Sequence, residues 1–193
     1  VAYGLNTAGV VSDQALLEAG GVNHATAAAY ERLLTDLFVV DALPAWFNNR
    51  LSRLIRLPKR FIVDAGLWAA LINADGGAVL ADATLLGRCL ETFVLSQLRA
   101  ELEVCRSRPR LYHLRDRDGR HEVDLLVEYG ANRVAGIEIK AAAAVSTDDA
   151  KHLRWCRSAL GDRFIGGVVL HTGSRLFQLE EGIVAAPIAA LWA

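Results

Sequence analysis

The chain has 193 residues, of which 53% are hydrophobic and 22% charged, and its net charge is −1. That is a globular composition, enough for one large domain or two small ones, and it excludes a globally basic nucleic-acid binder, so any such surface must be local. No apolar run approaches the ~20 residues of a membrane span. The start, Val1-Ala2-Tyr3-Gly4, lacks the basic and apolar regions of a signal peptide. Cys89, Cys105 and Cys156 have no metal-like spacing and read as reduced packing cysteines of a cytoplasmic protein. The chain has no methionine, even at position 1, which leads us to expect a piece of a longer protein.

In chain order, Ser12 is an N-cap for a short helix from Asp13 to Ala19, closed by Gly20-Gly21. A second helix begins near Asn23 to Thr26. Tyr30, Leu33, Leu34, Leu37 and Phe38 follow the i, i+3, i+4, i+7, i+8 spacing of an apolar face. Two helices across a glycine turn make a helix-turn-helix candidate. After Pro44 comes a basic stretch without acidic residues, holding Arg50, Arg53, Arg56, Lys59 and Arg60. These five read equally as a solvated face or as an arm on nucleic-acid phosphates. Ala74-Asp75-Gly76-Gly77 is a natural linker, so the expected units are 1–75 and 76–193.

The second unit should open with a helix from about Asp82 to Val104, with Glu91 beside its apolar face. Leu111 to Arg115 reads as a strand, and Asp118-Gly119 as a hairpin signal. The stretch His121 to Lys140, HEVDLLVEYGANRVAGIEIK, reads as two strands around a Gly130-Ala131-Asn132 turn. Alternation puts Val123, Leu125 and Val127 on one face and Asp124 on the other. With the apolar faces together, Asp124, Glu138 and Lys140 emerge on one side. Ala141 to Ala144 is compact enough for backbones to approach closely. Ser146 or Thr147 should cap a helix to about Leu160, stopped by Gly161. Phe164 to Leu170 reads as a central strand buried on both faces. Leu176 to Leu179 reads as an edge strand, and Pro187 to Trp192 as a turn or short helix. The fourth strand follows a crossover helix and should lie parallel to its neighbour.

The order α-β-β-β-α-β, with Asp124 on the second strand and Glu138-Ile139-Lys140 on the third, resembles the PD-(D/E)XK nuclease-like superfamily. Glu91 matches that superfamily's acidic position on the first helix. More of the text, including Ala28-Ala29-Tyr30-Glu31-Arg32-Leu33-Leu34, Pro58-Lys59-Arg60-Phe61-Ile62-Val63-Asp64-Ala65-Gly66-Leu67 and Leu86-Gly87-Arg88-Cys89-Leu90-Glu91-Thr92-Phe93-Val94, resembles the C-terminal region of prokaryotic AAA+-type ATPases, which carry a domain of unknown function behind the ATPase module. The resemblance implies an α/β (α+β) chain: a winged-helix-like helical unit, then a restriction-endonuclease-like core. It implies an ATPase domain in cis on the N-terminal side. The sequence has no GxxxxGK(S/T) loop, so this stretch itself should not hydrolyse ATP. Asp124 is preceded by Val123 and not by the proline of the motif.

The implied activity is metal-dependent cleavage of nucleic acid, with DNA the expected substrate. Mg²⁺ or Mn²⁺ would be held by Asp124, Glu138 and the Ile139 carbonyl. Lys140 would stabilise charge at the scissile phosphate, its pKa lowered by burial and by the metal, and Glu91 would support it. The alternative is a non-catalytic module of that ATPase that binds DNA or protein. A plain structural account also exists, in which Glu138 and Lys140 face solvent and Asp124 is a cross-strand partner of Lys140. Self-association fits the resemblance, and a membrane does not.

Overall fold

A computed structural model describes residues 2–10, 12–47, 54–130 and 133–192. Arg50, Arg53 and the Ala131-Asn132 turn lie outside the described residues. The chain is mixed α/β and divides into two units, residues 1–44 with 57–96 and residues 45–56 with 97–193. The break expected after residue 75 falls inside the first unit.

The first unit runs α1 (Ala2–Leu5), β1 (Gly9–Val10), α2 (Asp13–Gly20), α3 (His24–Asp36), β2 (Val40–Leu43), β3 (Lys59–Ile62), α4 (Ala65–Leu71) and α5 (Gly76–Ala81). It also takes most of α6 (Ala83–Glu103), within which the division falls. The caps follow local chemistry. The Ser12 hydroxyl accepts the Ala15 N–H, Gly21 turns left-handed at φ 63°, and the Asn23 side-chain amide oxygen accepts the Thr26 N–H. The three strands form an antiparallel sheet in the order β1-β3-β2. Its core is Val40, Ile62, Trp68 and Val79, with Leu34, Leu86 and Cys89 against it.

The expected apolar face of α3 is only partly used. Leu34 packs inward, while Tyr30, Leu33, Leu37 and Phe38 are exposed at 55%, 51%, 61% and 81%. α3 ends at Asp36 and Phe38 turns left-handed at φ 54°, so the helical period does not extend to Leu37 and Phe38, and it says nothing of what covers Tyr30 and Leu33.

The second unit holds a six-stranded mixed sheet in the order β4-β5-β6-β7-β9-β8. Its strands are β4 (Arg110–Arg115), β5 (Glu122–Tyr129), β6 (Arg133–Lys140), β7 (Phe164–His171), β8 (Phe177–Glu180) and β9 (Ile183–Pro187). β4, β5 and β6 are antiparallel, and α7 (Lys151–Leu160) carries the chain over to β7, which lies parallel to β6. The small-residue strand β9 was not expected; it runs parallel to β7 and separates it from the edge strand β8.

α7 covers one face of this sheet. Leu153, Cys156 and Leu160 point down at helical spacing onto Val123, Leu126, Val134, Phe164, Val169 and Ile183. Gly136 lies under Leu153, where a Cβ would clash with the leucine methyl at 2.5 Å. On the other face Leu125, Val127 and Ile137 are buried too. β7 departs from the expectation of burial on both faces: Val169, Leu170 and His171 are buried, but Ile165 is 43% exposed.

The segment before β3 also belongs to this unit. Ala45 bridges His113, and Leu54 bridges Asp116 beyond the end of β4. Trp46 sits in the core, donating its indole N–H to Glu128 at 3.1 Å. These contacts cover part of the backbone edge that β4 would otherwise expose. No described helix is long and apolar enough to cross a membrane.

Candidate functional site

Asp124 sits at an irregularity. From Tyr112 to Leu114 the β4 strand advances two residues while β5 advances three, from Leu126 to Val123. The extra residue bulges β5 beside Asp124 and re-aims the side chains around it. This corrects the strict alternation: Val123 joins Leu126 on the α7 side, and Leu125 lies opposite. The β5–β6 register then ends at Leu125 and Ile137. Beyond it the Asp124 carboxylate accepts the Ile139 backbone N–H at 2.9 Å.

On β6, Glu138 and Lys140 share the face of Gly136, under α7. Glu138 is 2% exposed, and Lys140 donates to its carboxylate at 3.1 Å with 30% of the lysine side chain exposed. Burial pulls the Lys140 pKa down, but the Glu138 and Asp124 carboxylates outweigh it, and the net direction is up. The lowered pKa expected for Lys140 is therefore corrected for the chain without metal. Glu138 also acts on α7: burial and then this carboxylate push the Cys156 thiol up to about 12. At the other end of the helix, burial and the charges of Lys151 and Lys140 hold His152 below its ordinary value.

The remaining expected residues go elsewhere. The Glu91 carboxylate takes the Lys59 ammonium, and Lys59 is 2% exposed. Arg60 is 6% exposed and its guanidinium donates to Glu31 at 2.8 Å. Lys59 and Arg60 are therefore not phosphate contacts: both lie in the interior of the first unit, held by carboxylates from α6 and α3. Arg56 is exposed, with its guanidinium 4.4 Å from the centre of the Phe47 ring.

His121, just before β5, is a neighbour the spacing did not reveal. Its ring lies 4.3 Å from that of Trp155 at 5° and 6.0 Å from that of His152. The His152-x-x-Trp155 spacing on α7 is the signal that was there to read. His171, opposite Lys140 on β7, is buried and spends both ring nitrogens on the following turn, with the Gly173 N–H and the Arg175 carbonyl. Of the cysteines, Cys156 is buried and Cys89 half-buried, while Cys105 is exposed and does not pack as expected.

The donor set can be tested against a metal. Among the described residues no group of three or more His, Cys, Asp or Glu is gathered to hold one. Mg²⁺ needs fewer protein ligands, since it takes one or two carboxylates and keeps several waters. Two carboxylates beside one ammonium fit Mg²⁺ or Mn²⁺, with the Ile139 carbonyl on the strand between them.

The fold and this cluster define a mixed α/β domain with an acidic pair and a lysine at one end of its sheet. A family model described as a domain of unknown function, DUF4143, matches residues 86–191, more than half of the chain, and the chain belongs to that family. A second model, described as domain of unknown function DUF8612, matches residues 2–77. The chain is 36% identical over 167 residues to an uncharacterized protein of Mycobacterium tuberculosis and, equally, to one of Mycobacterium bovis. Each match covers 86% of this chain and 35% of the relative, so the chain spans about a third of the length of those relatives.

Proposed function

We propose that the second unit is a metal-dependent nuclease-like module of the PD-(D/E)XK kind, that the first is winged-helix-like, and that both serve an AAA+-type ATPase carried elsewhere in a longer protein. The observation that carries the reading is the meeting of Asp124, Glu138 and Lys140 at one end of β5 and β6. The order of α6, three antiparallel strands, the crossover helix α7 and the parallel strand β7 supports it. The order α1-β1-α2-α3-β2-β3 with sheet order β1-β3-β2 supports the winged-helix reading.

When bound, a divalent ion would supply a nucleophilic water and charge stabilisation for the leaving oxygen. Asp124 and Glu138 would hold it with the Ile139 carbonyl. The Lys140 ammonium, kept protonated by its two carboxylate neighbours, would bind the scissile phosphate as a charge stabiliser. Glu91, engaged with Lys59 in the first unit, has a structural part in this account.

One observation favours a second reading, a protein-binding regulatory module: Tyr30 and Leu33 of α3 and Leu37 and Phe38 just after it are exposed, and exposed apolar patches mark partner sites. Calorimetric titration of the chain with Mn²⁺ separates the two. The nuclease reading predicts one site that is lost in both Asp124→Asn and Glu138→Gln. Heat unchanged by these substitutions, or no binding, leaves the regulatory module.

A further inference from the structure

Resting on the reading of the second unit as a nucleic-acid enzyme, we propose that two stacked pairs, Phe47 with Arg56 and His121 with Trp155, form a track that holds unpaired nucleobases beside the Asp124–Glu138–Lys140 cluster. The pairs are joined through backbone. The Ile55 N–H donates to the Arg115 carbonyl at 2.9 Å, Leu54 bridges Asp116, and the Asp116 N–H donates to the His121 carbonyl at 2.9 Å. Three chain segments therefore lie side by side at Leu54–Arg56, Arg115–Asp116 and His121, with Phe47 against the Arg56 guanidinium of the outer one.

Neighbouring strands are about 4.8 Å apart and each residue advances about 3.4 Å. The track is then roughly 10 Å across, and His121 lies roughly 10 Å along β5 from Asp124. That is the reach of a few nucleotides of single strand.

Planarity and exposure support stacking over charge readout. The Phe47 ring is 51% exposed despite the guanidinium over it. His121 and Trp155 lie nearly parallel at 5° and are each half-buried. Charge in the hairpin is balanced: Arg115 faces Glu122 at 3.4 Å, and Asp116 accepts the Arg120 N–H. Every base has a π-face, so stacking recognises unpaired strands of any sequence, whereas a duplex keeps its bases covered.

The test is fluorescence anisotropy of labelled 12-nucleotide DNA and RNA single strands and of a DNA duplex, in EDTA so that nothing is cut. Wild type should bind single strands more tightly than duplex. Phe47→Ala and His121→Ala should each weaken single-strand binding about tenfold. The two single strands identify the sugar preferred. Phe47 is exposed, so its variant reads the track even if His121→Ala unfolds. Equal binding by wild type and Phe47→Ala, preference for duplex, or no binding would overturn the track. Single-strand binding without any metal-dependent cleavage would keep the track and remove the nuclease. Cleavage that both variants retain in full, with unchanged binding, would do the reverse.

Discussion

The Ile139 backbone N–H donates to the Asp124 carboxylate at 2.9 Å, at the point where the β5–β6 ladder stops. One side chain thus closes a backbone ladder and sets the site's first carboxylate against the strand that carries Glu138 and Lys140. Asp124→Ala leaves that N–H without its acceptor and should cost about 1–3 kcal/mol. Asp124→Asn keeps an acceptor oxygen and should cost less. Urea denaturation of the two variants gives the order, and equal losses would show that the bond contributes little.

Lys140 gives a pH prediction. Its folded pKa lies above the ordinary 10.5 because Glu138 and Asp124 outweigh burial. Folding therefore favours the protonated amine. That contribution is whole below the unfolded value and is lost as pH rises through the folded one. Wild type should lose stability above about pH 10.5 more steeply than Lys140→Met. Thermal melts of the pair from pH 8 to 12 show this as converging curves, and parallel curves would contradict it.

The Lys59–Glu91 pair lies in the interior of the first unit. Lys59→Met alone strands a buried carboxylate and should cost about 3–5 kcal/mol. Adding Glu91→Leu should recover most of that, because an apolar pair of similar volume replaces the ions. Stability of both variants by denaturant, with nucleic-acid binding by the folded double variant unchanged, is the expected pattern. A loss of binding at constant fold would return Lys59 to a contact role.

Gly173 allows the turn after β7 to approach the segment after β6. A Cβ there would run into the Ala143 carbonyl oxygen and come within 2.9 Å of His171 Nδ1. Backbone has to move to relieve it, so Gly173→Ala should cost about 1–3 kcal/mol and disturb the His171 turn. Melting temperature and the His171 imidazole resonances report the two effects, and a variant as stable as wild type would contradict the packing described.

These residues also show what a sequence can disclose. The strand pair, its acidic and basic residues, the parallel crossover and the close packing after Lys140 were all legible, because alternation, turn residues and small side chains act locally. The β5 bulge was not, since an extra residue in one strand shows only against its partner. Lys59 and Arg60 looked like a free basic arm because Glu91 and Glu31, which bury them, lie 32 and 29 positions away. Tyr30 to Phe38 has the spacing of a packed face, yet most of it stays exposed: period fixes which residues align, not what meets them. β9 escaped because Ile183–Pro187 carries three small residues or proline in five, too weak a strand signal without β7 beside it.

The central claim is that Asp124, Glu138 and Lys140 cut phosphodiester bonds with a divalent ion. The most direct measurement incubates the chain and Lys140→Ala with single- and double-stranded DNA and RNA, with Mg²⁺, Mn²⁺ or EDTA. The account predicts products from wild type that require the ion and disappear with Lys140→Ala. Products that persist in EDTA or in the variant, or a folded, metal-binding wild type that yields none, would contradict it.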